Sequence, residues 1–388
     1  MLRKYFAGVG VGVLICTSLF GSWRSSSRRE SIANVKSAAL EVYSLQKQGD
    51  GTWVKSEIPF GKWGDVLAAS EDGSLAIAGQ GTVLLSSTEG RSWRTVNGGE
   101  GSYRSTVDGG ETSTNLDQLG KPLPSSVSIR DLCSVEGGVL APGGRLYLKA
   151  VCEHTTQLWS IPSKSENESW NVFSFTYKND PSEGVYSAGH NLIVVGERVL
   201  IDTSLPTGPA LLTTDDKGVT WHPMWRGSAN DTGIVGLSLR TQQDGWMLQG
   251  NGRLLRTSDG GQTWVRLSKL AEEVARNCTS INFVDSKSGF IVGLRGLLLS
   301  TVNGGVTWTP QNAGTNLDLY KVVAANRKQI WVSGQKGTIL ETSDGGGVWR
   351  RVDLGLENDI RSGLTITGDV AWLISRGSLY RSRGGRIN

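Results

Sequence analysis

The sequence predicts an all-β protein, a seven-bladed β-propeller of four-stranded blades whose ring is closed by an N-terminal strand and preceded by a hydrophobic segment. Three observations predict it. A short turn motif ending in tryptophan recurs along the chain, a second marker stands eleven residues ahead of it, and the array leaves strands unpaired at its two ends.

Aligned backwards from the tryptophan, the motif reads Ser/Thr-x-Asp/Asn-x-Gly-x-Thr/Val-Trp. It ends on Trp221, Trp264, Trp308 and Trp349, with Asp216, Asp259, Asn303 and Asp344 at the polar position. Weaker copies run from Ser86 to Trp93 and from Ser163 to Trp170. Asp or Asn followed by glycine is turn chemistry, because the side chain bonds nearby backbone and glycine supplies positive φ. Apolar strands lead in (Leu254-Leu255, Leu297-Leu298-Leu299, Ile339-Leu340) and Val265-Arg266-Leu267 leads out. Each copy therefore reads as a β-hairpin with a structural tryptophan. Burying roughly 150–250 Å² of indole at about 25 cal/mol per Å² contributes on the order of 4–6 kcal/mol.

The second marker is Trp246, Phe290 and Trp331, each eleven residues ahead of Thr257, Thr301 and Thr342. Between marker and motif runs a glycine-flanked loop: Gly250-Asn251-Gly252-Arg253, Gly293-Leu294-Arg295-Gly296 and Gly334-Gln335-Lys336-Gly337. One complete unit is strand A over 318–324, strand B over 329–333, strand C over 338–342 and strand D over 348–352. Four antiparallel strands in ~40–45 residues make a propeller blade. Tryptophans 93, 170, 221, 264, 308 and 349 end six of them. Three further strands follow Trp349 (363–367, 370–375, 378–382), and that blade lacks strand D. Gly51-Thr52-Trp53-Val54 is a strand D with nothing ahead of it. Pairing the two ends closes the ring, removes exposed sheet edges and gives seven blades over residues 49–388.

Residues 1–23 carry Arg3 and Lys4 and then an uncharged run over 5–23, just long enough to span a bilayer. No small-residue cleavage site follows, so an anchor is favoured over a removed signal peptide, with the propeller exported. Residues 24–48 read as a polar tether with a short amphipathic helix. The Gly/Ser/Asn-rich stretch 97–126 reads as an inserted loop. A formal net charge of +4 among 388 residues argues against nucleic acid as partner. Three histidines and four cysteines without ligand spacing argue against a metal centre, and no cofactor is expected. Cys133 and Cys152 fall on neighbouring strands, where a disulfide and a pair of free buried thiols stay equally open.

The turn motif is the Asp-box repeat, which is also found in sialidases. The longer pattern from Gln329 to Trp349 resembles the photosystem II assembly and stability factor family, seven-bladed propellers of cyanobacteria and chloroplasts. That resemblance implies a scaffold without catalysis, facing the thylakoid lumen or periplasm and holding an unassembled membrane-protein subunit. A sialidase-like resemblance implies an arginine triad, a Phe-Arg-Ile-Pro motif and an activated tyrosine. No Phe-Arg-Ile-Pro is present, and nothing marks Tyr103, Tyr147 or Tyr186 as activated. A carbohydrate-active or carbohydrate-binding propeller is the alternative. The Asp-box carboxylates belong to different blades and are expected to be structural.

One basic residue per blade recurs at glycine-flanked turns: Arg145, Arg198, Arg253, Arg295, Lys336 and Arg376, with Gln80 in the first blade. If all lie in B–C loops, they form an arc on the face opposite the Asp boxes. An acidic peptide or membrane-protein subunit is the partner such an arc suits, through bidentate arginine contacts. Glu272, Glu273, Glu357 and Asp359 in the adjacent D–A loops stand to neutralise it. A monomer is expected.

Overall fold

The structure, a computed structural model, describes residues 221–375 and 377–382 throughout and, ahead of them, strands and turns between residues 40 and 216. Residues 1–23, Trp170 and Arg376 lie outside the described residues. Among the described residues, no helix is long and apolar enough to cross a membrane.

Seven sheets are present among the described residues, each built around consecutive strands of the chain. They are numbered here as blades 1 to 7 in chain order, starting from the sheet of Val66–Ala69. Blade 4 is built of strand A (Ile234–Leu239), strand B (Gly245–Gln249), strand C (Arg253–Thr257) and strand D (Val265–Lys269), each antiparallel to the next. Blade 6 repeats this with Leu319–Ala324, Ile330–Gly334 and Ile339–Thr342, but its strand D shrinks to Arg350–Arg351. Strand D of blade 6 starts at the same distance from its Asp box as in blade 4 and ends earlier.

Ring closure follows the expected strand. Trp53–Glu57 pairs antiparallel with Ser378–Ser382, from Trp53 opposite Ser382 to Glu57 opposite Ser378, and completes the blade of Leu364–Thr367 and Val370–Ser375. Trp53 is fully buried, and its Nε1 donates to Glu341 Oε2 of blade 6 at 3.3 Å.

Two boundaries are corrected. Within 24–48, Leu45–Gln48 is a strand on the outer edge of blade 7 and Leu40–Glu41 pairs with Ser92 and Trp93 of blade 1, while the rest of the stretch read as a short helix lies outside the described residues. The insertion 97–126 is not wholly loop, since Ser105–Val107 runs parallel along the outer strand Asn171–Phe175 of blade 2. The physical reason is common to both. Outer strands present unpaired N–H and C=O groups, and an extended segment alongside satisfies them.

The Asp boxes of blades 4 and 5 join each of these blades to the one before. In blade 4 the Thr257 hydroxyl donates to Asp259 Oδ1 at 2.8 Å and accepts the Gly261 N–H at 2.8 Å. Asp259 Oδ1 also accepts the Thr263 N–H at 2.9 Å. Gly260 and Gly261 take φ of 76° and 89°, which a β-carbon disfavours. Blades 5 and 6 repeat the pattern around Thr301 with Asn303 and Thr342 with Asp344. The exposed carbonyls of the turn then serve the preceding blade: Trp246 Nε1 donates to Gly304 O at 2.9 Å, and Arg198 Nη1 to Gly260 O at 2.9 Å.

The box tryptophans are less central than their recurrence suggests. Trp93 and Trp221 are buried, but Trp264, Trp308 and Trp349 are only half-buried, and their indole nitrogens have no hydrogen-bond partner. The deep core between blades belongs instead to the second marker. Trp246 is fully buried and stacks on Phe283 of blade 5 with centroids 3.9 Å apart. Phe290 meets Trp349 of blade 6 edge-on at 6.1 Å.

Candidate functional site

A four-stranded blade places its A–B and C–D turns at one end and its B–C and D–A connections at the other. The Asp boxes are C–D turns, so they hold the first face, and their carboxylates lie in separate sheets. Hydrogen bonds inside each box account for these groups. Asp259 is held down to about 2 by the Thr263 hydroxyl first, then by the Thr263 N–H and the Thr257 hydroxyl. A shallow open cavity on this face is lined by Arg256, Ser286, Lys287, Val302 and Asn303. Its arginine is committed elsewhere, with Nη2 3.0 Å from Asp244 Oδ1 and the guanidinium 4.9 Å over the Trp246 ring. Among the described residues, no group of His, Cys, Asp and Glu is arranged to hold a metal ion. Tyr147, one of the tyrosines considered for a sialidase-like site, is buried in the core between blades 2 and 3, at 2% exposure.

The basic residues do not share one face. Arg253, Arg295 and Lys336 occupy the B–C connections of blades 4, 5 and 6, as expected. Arg145 and Arg198 do not. Arg145 opens strand B of blade 2 (Arg145–Cys152) after the turn that ends strand A at Ala141. Arg198 likewise opens strand B of blade 3 (Arg198–Leu205) after strand A (Leu192–Val195). Both therefore sit in A–B turns on the Asp-box face. The true B–C connections there are 153–154 and 206–207, which carry neither arginine. Glycine marks both kinds of turn, which is why the motif alone did not separate them. Arg198 instead bonds Gly260 O and pairs with Asp215 at 3.4 Å.

Three consecutive B–C turns thus present cations. Arg295 and Lys336 each form the middle of a single 3₁₀ turn with φ of 57° and 51°, the left-handed region that normally selects glycine or asparagine. The next blade's D–A connection holds each turn in place. Asp318 Oδ1 accepts the Arg295 N–H at 2.9 Å, and Asp359 Oδ1 accepts the Lys336 N–H at 3.2 Å. The carboxylates thus bind backbone, and both side chains remain exposed with no ion-pair partner among the described residues. Arg253 differs, since its Nη1 lies 2.8 Å from Asp231 Oδ1.

Of the acids expected to neutralise these cations, Asp359 comes nearest to the role. Glu272 pairs with Arg276 on its own short helix (Glu272–Ala275). The sequence reading missed Tyr320 and Arg361. Arg361 lies over the Tyr320 ring at 4.1 Å, and the Tyr320 hydroxyl donates to Asp359 Oδ2 at 2.9 Å. Arg361 Nη2 lies 3.0 Å from that same oxygen. Desolvation opposes ionisation of Asp359, but the Lys336 N–H, the Tyr320 hydroxyl and Arg361 outweigh it and keep the carboxyl below its usual range. A signal for the acids was available. Arg295 to Asp318 and Lys336 to Asp359 are both separated by 23 residues, one per repeat.

Comparison with known proteins agrees with the fold and the repeat. The family model described as photosynthesis system II assembly factor YCF48 matches residues 205–302 and 273–383. Photosystem II stability/assembly factor HCF136, chloroplastic, of Arabidopsis thaliana is 41% identical over 70 residues, which is 18% of this chain. The chain spans only 17% of that relative's length. Among solved structures, one described as YCF48 bound to D1 peptide aligns with a TM-score of 0.57 at 12% identity, covering 89% of this chain and 99% of that one. A xyloglucanase from Xanthomonas campestris aligns with a TM-score of 0.56 at 12% identity, covering 86% of this chain and 53% of that one. At such identities both likenesses show the propeller fold alone.

Proposed function

We propose, from a chain that is photosystem II assembly-factor-like in its repeat and its propeller fold, that it is a non-catalytic scaffold outside the cytoplasm. Its B–C and D–A face binds an acidic segment of a membrane-protein subunit and assists assembly of the complex to which that subunit belongs. One observation carries the reading. Arg295 and Lys336 stand at the same strained position of successive blades, where a left-handed backbone costs a non-glycine residue roughly 1–2 kcal/mol. Backbone strain held at an exposed position points to use of the side chain. The turns are braced by Asp318 and Asp359 through backbone alone, which leaves the cationic ends free for a carboxylate. The solved propeller described as bound to a D1 peptide supports a peptide ligand, and the chloroplastic relative supports a place outside the cytoplasm. The N-terminal run 5–23 supplies the tether, and the scaffold acts as a monomer.

The test is retention of a membrane-protein subunit from detergent-solubilised membranes, with the captured subunit identified by mass spectrometry. Three proteins are compared: the full chain, the triple variant Arg253→Glu, Arg295→Glu, Lys336→Glu, and the variant Arg145→Glu, Arg198→Glu on the opposite face. The wild type and the opposite-face variant retain the subunit. The triple variant loses at least tenfold, and the wild-type complex weakens as salt rises past the ~10 Å Debye screening regime at about 0.1 M. Equal retention by all three overturns the basic face as the site. Hydrolysis of an aryl glycoside panel by the purified chain overturns the non-catalytic reading.

A further inference from the structure

Blade 2 pairs strand A (Cys133–Ala141) with strand B (Arg145–Cys152), and the last rung of that ladder sets Cys152 directly opposite Cys133. Directly opposed residues of an antiparallel pair share one face of the sheet, with Cα atoms about 4.5–5.5 Å apart. A disulfide asks for Cα separations of about 4.4–6.8 Å. The backbone register therefore meets the Cα separation that a disulfide demands.

We infer that Cys133 and Cys152 are a cross-strand modification site that an external disulfide oxidises to an intramolecular disulfide. The place in the fold gives the bond a purpose. Cys133 opens strand A just after the inserted stretch 97–126, and Cys152 ends strand B at the two-residue turn before strand C (Thr155–Pro162). The ladder is irregular between Lys149 and Ala150, so only three rungs lie beyond the irregularity, and the cysteine pair is the outermost. A covalent link at that rung pins the end of the hairpin and fixes where the chain enters the blade after the inserted stretch.

The chemistry balances. The thiolate of one cysteine attacks the external disulfide, expels one thiolate and becomes a mixed disulfide. The thiolate of the other then attacks the protein sulfur and expels the second thiolate. Two electrons and two protons leave the cysteine pair, and the external disulfide is reduced to two thiols. Cys278 serves as an internal control: it is buried, and desolvation pushes its thiol up to about 12, which keeps it from forming thiolate.

The experiment uses the purified full chain, equilibrated with a mixture of oxidised and reduced glutathione, alkylated and digested with trypsin. The expected product is the peptide containing Cys133 linked to the peptide containing Cys152, separated by reductant. The folded oxidised chain should also melt a few degrees above the same chain in reductant. Alkylation of both cysteines in the oxidised sample, or their capture as separate glutathione adducts, overturns the inference. The variants Cys133→Ser and Cys152→Ser should each abolish the linked peptide. Because the wild type is read in both redox states, a variant that fails to fold leaves the result intact. Partner binding does not enter the readout, so failure of the proposed scaffold role would not produce failure here.

Discussion

At the scale of single residues, hydroxyls and one lysine do more than the recurring tryptophans suggest. Thr257 is 1% exposed, and its hydroxyl serves both Asp259 and the buried Gly261 N–H. Thr257→Val keeps the shape and removes both bonds. It should cost about 1–3 kcal/mol, since a buried donor is left unsatisfied, and urea denaturation measures this directly. Lys321 behaves differently. It lies opposite Ser333 in blade 6, whose hydroxyl is buried without a hydrogen-bond partner among the described residues. Desolvation lowers the Lys321 amine from 10.5 to about 8. A lysine whose folded pKa is depressed binds fewer protons than the unfolded chain between those values, so stability rises with pH across that window. Lys321 is only half-buried by its exposed surface, so at about 1.4 kcal/mol per unit the desolvation penalty at neutral pH is at most on the order of 3 kcal/mol. Lys321→Met should therefore stabilise the protein at pH 7, by up to that amount. The gain should shrink steadily above pH 8, and a pH-independent difference between the two proteins would contradict a desolvated cation.

At the scale of elements, the propeller depends on one strand that is remote in sequence. Trp53–Glu57 supplies strand D of blade 7, and its Trp53 packs with Val323, Trp331, Leu364 and Tyr380 in the core shared by blades 6 and 7. Trp53→Ala should cost about 3–5 kcal/mol, as expected for truncating a fully buried aromatic side chain. Because closure holds first and last blades together, the loss should appear as a lower denaturation midpoint with early exposure of blade 7 in hydrogen exchange. Retention of wild-type protection over Val370–Ser382 would show that the other strands close the ring unaided. Here the sequence was a good guide. The leftover strands at the two ends led to the observed pairing, whereas Trp246, Phe290 and Trp331 were legible as a recurrence but not as the deep core. The extra outer strands at Leu40–Glu41, Leu45–Gln48 and Ser105–Val107 were not legible. Edge pairing rests on backbone groups that every residue carries, so no side-chain pattern announces it.

At the scale of the whole molecule, the two faces of the disc divide the labour. The C–D turns carry the Asp boxes and join neighbouring blades, as in the bond from Trp246 to Gly304 O. The B–C turns of blades 5 and 6 carry exposed cations and are braced by the connection to the following blade. A charge-reversal experiment that compares the two faces is informative for that reason, since Arg198 and Arg295 differ little in local sequence and entirely in placement.

The sequence by itself determined the repeat, the seven blades and the closing strand. Each of these follows from local turn chemistry repeated at a fixed interval, and local chemistry is what a linear chain displays. Tertiary structure alone decided which glycine-flanked turns share a face. Gly196-Glu197-Arg198 and Gly252-Arg253 look alike in sequence, but one strand of difference in phase sends them to opposite ends of their blades. It also decided that Asp318 and Asp359 brace the backbone rather than neutralise the cations above it. That depends on the angle at which one blade's loop meets the next, a quantity set by packing across the whole ring.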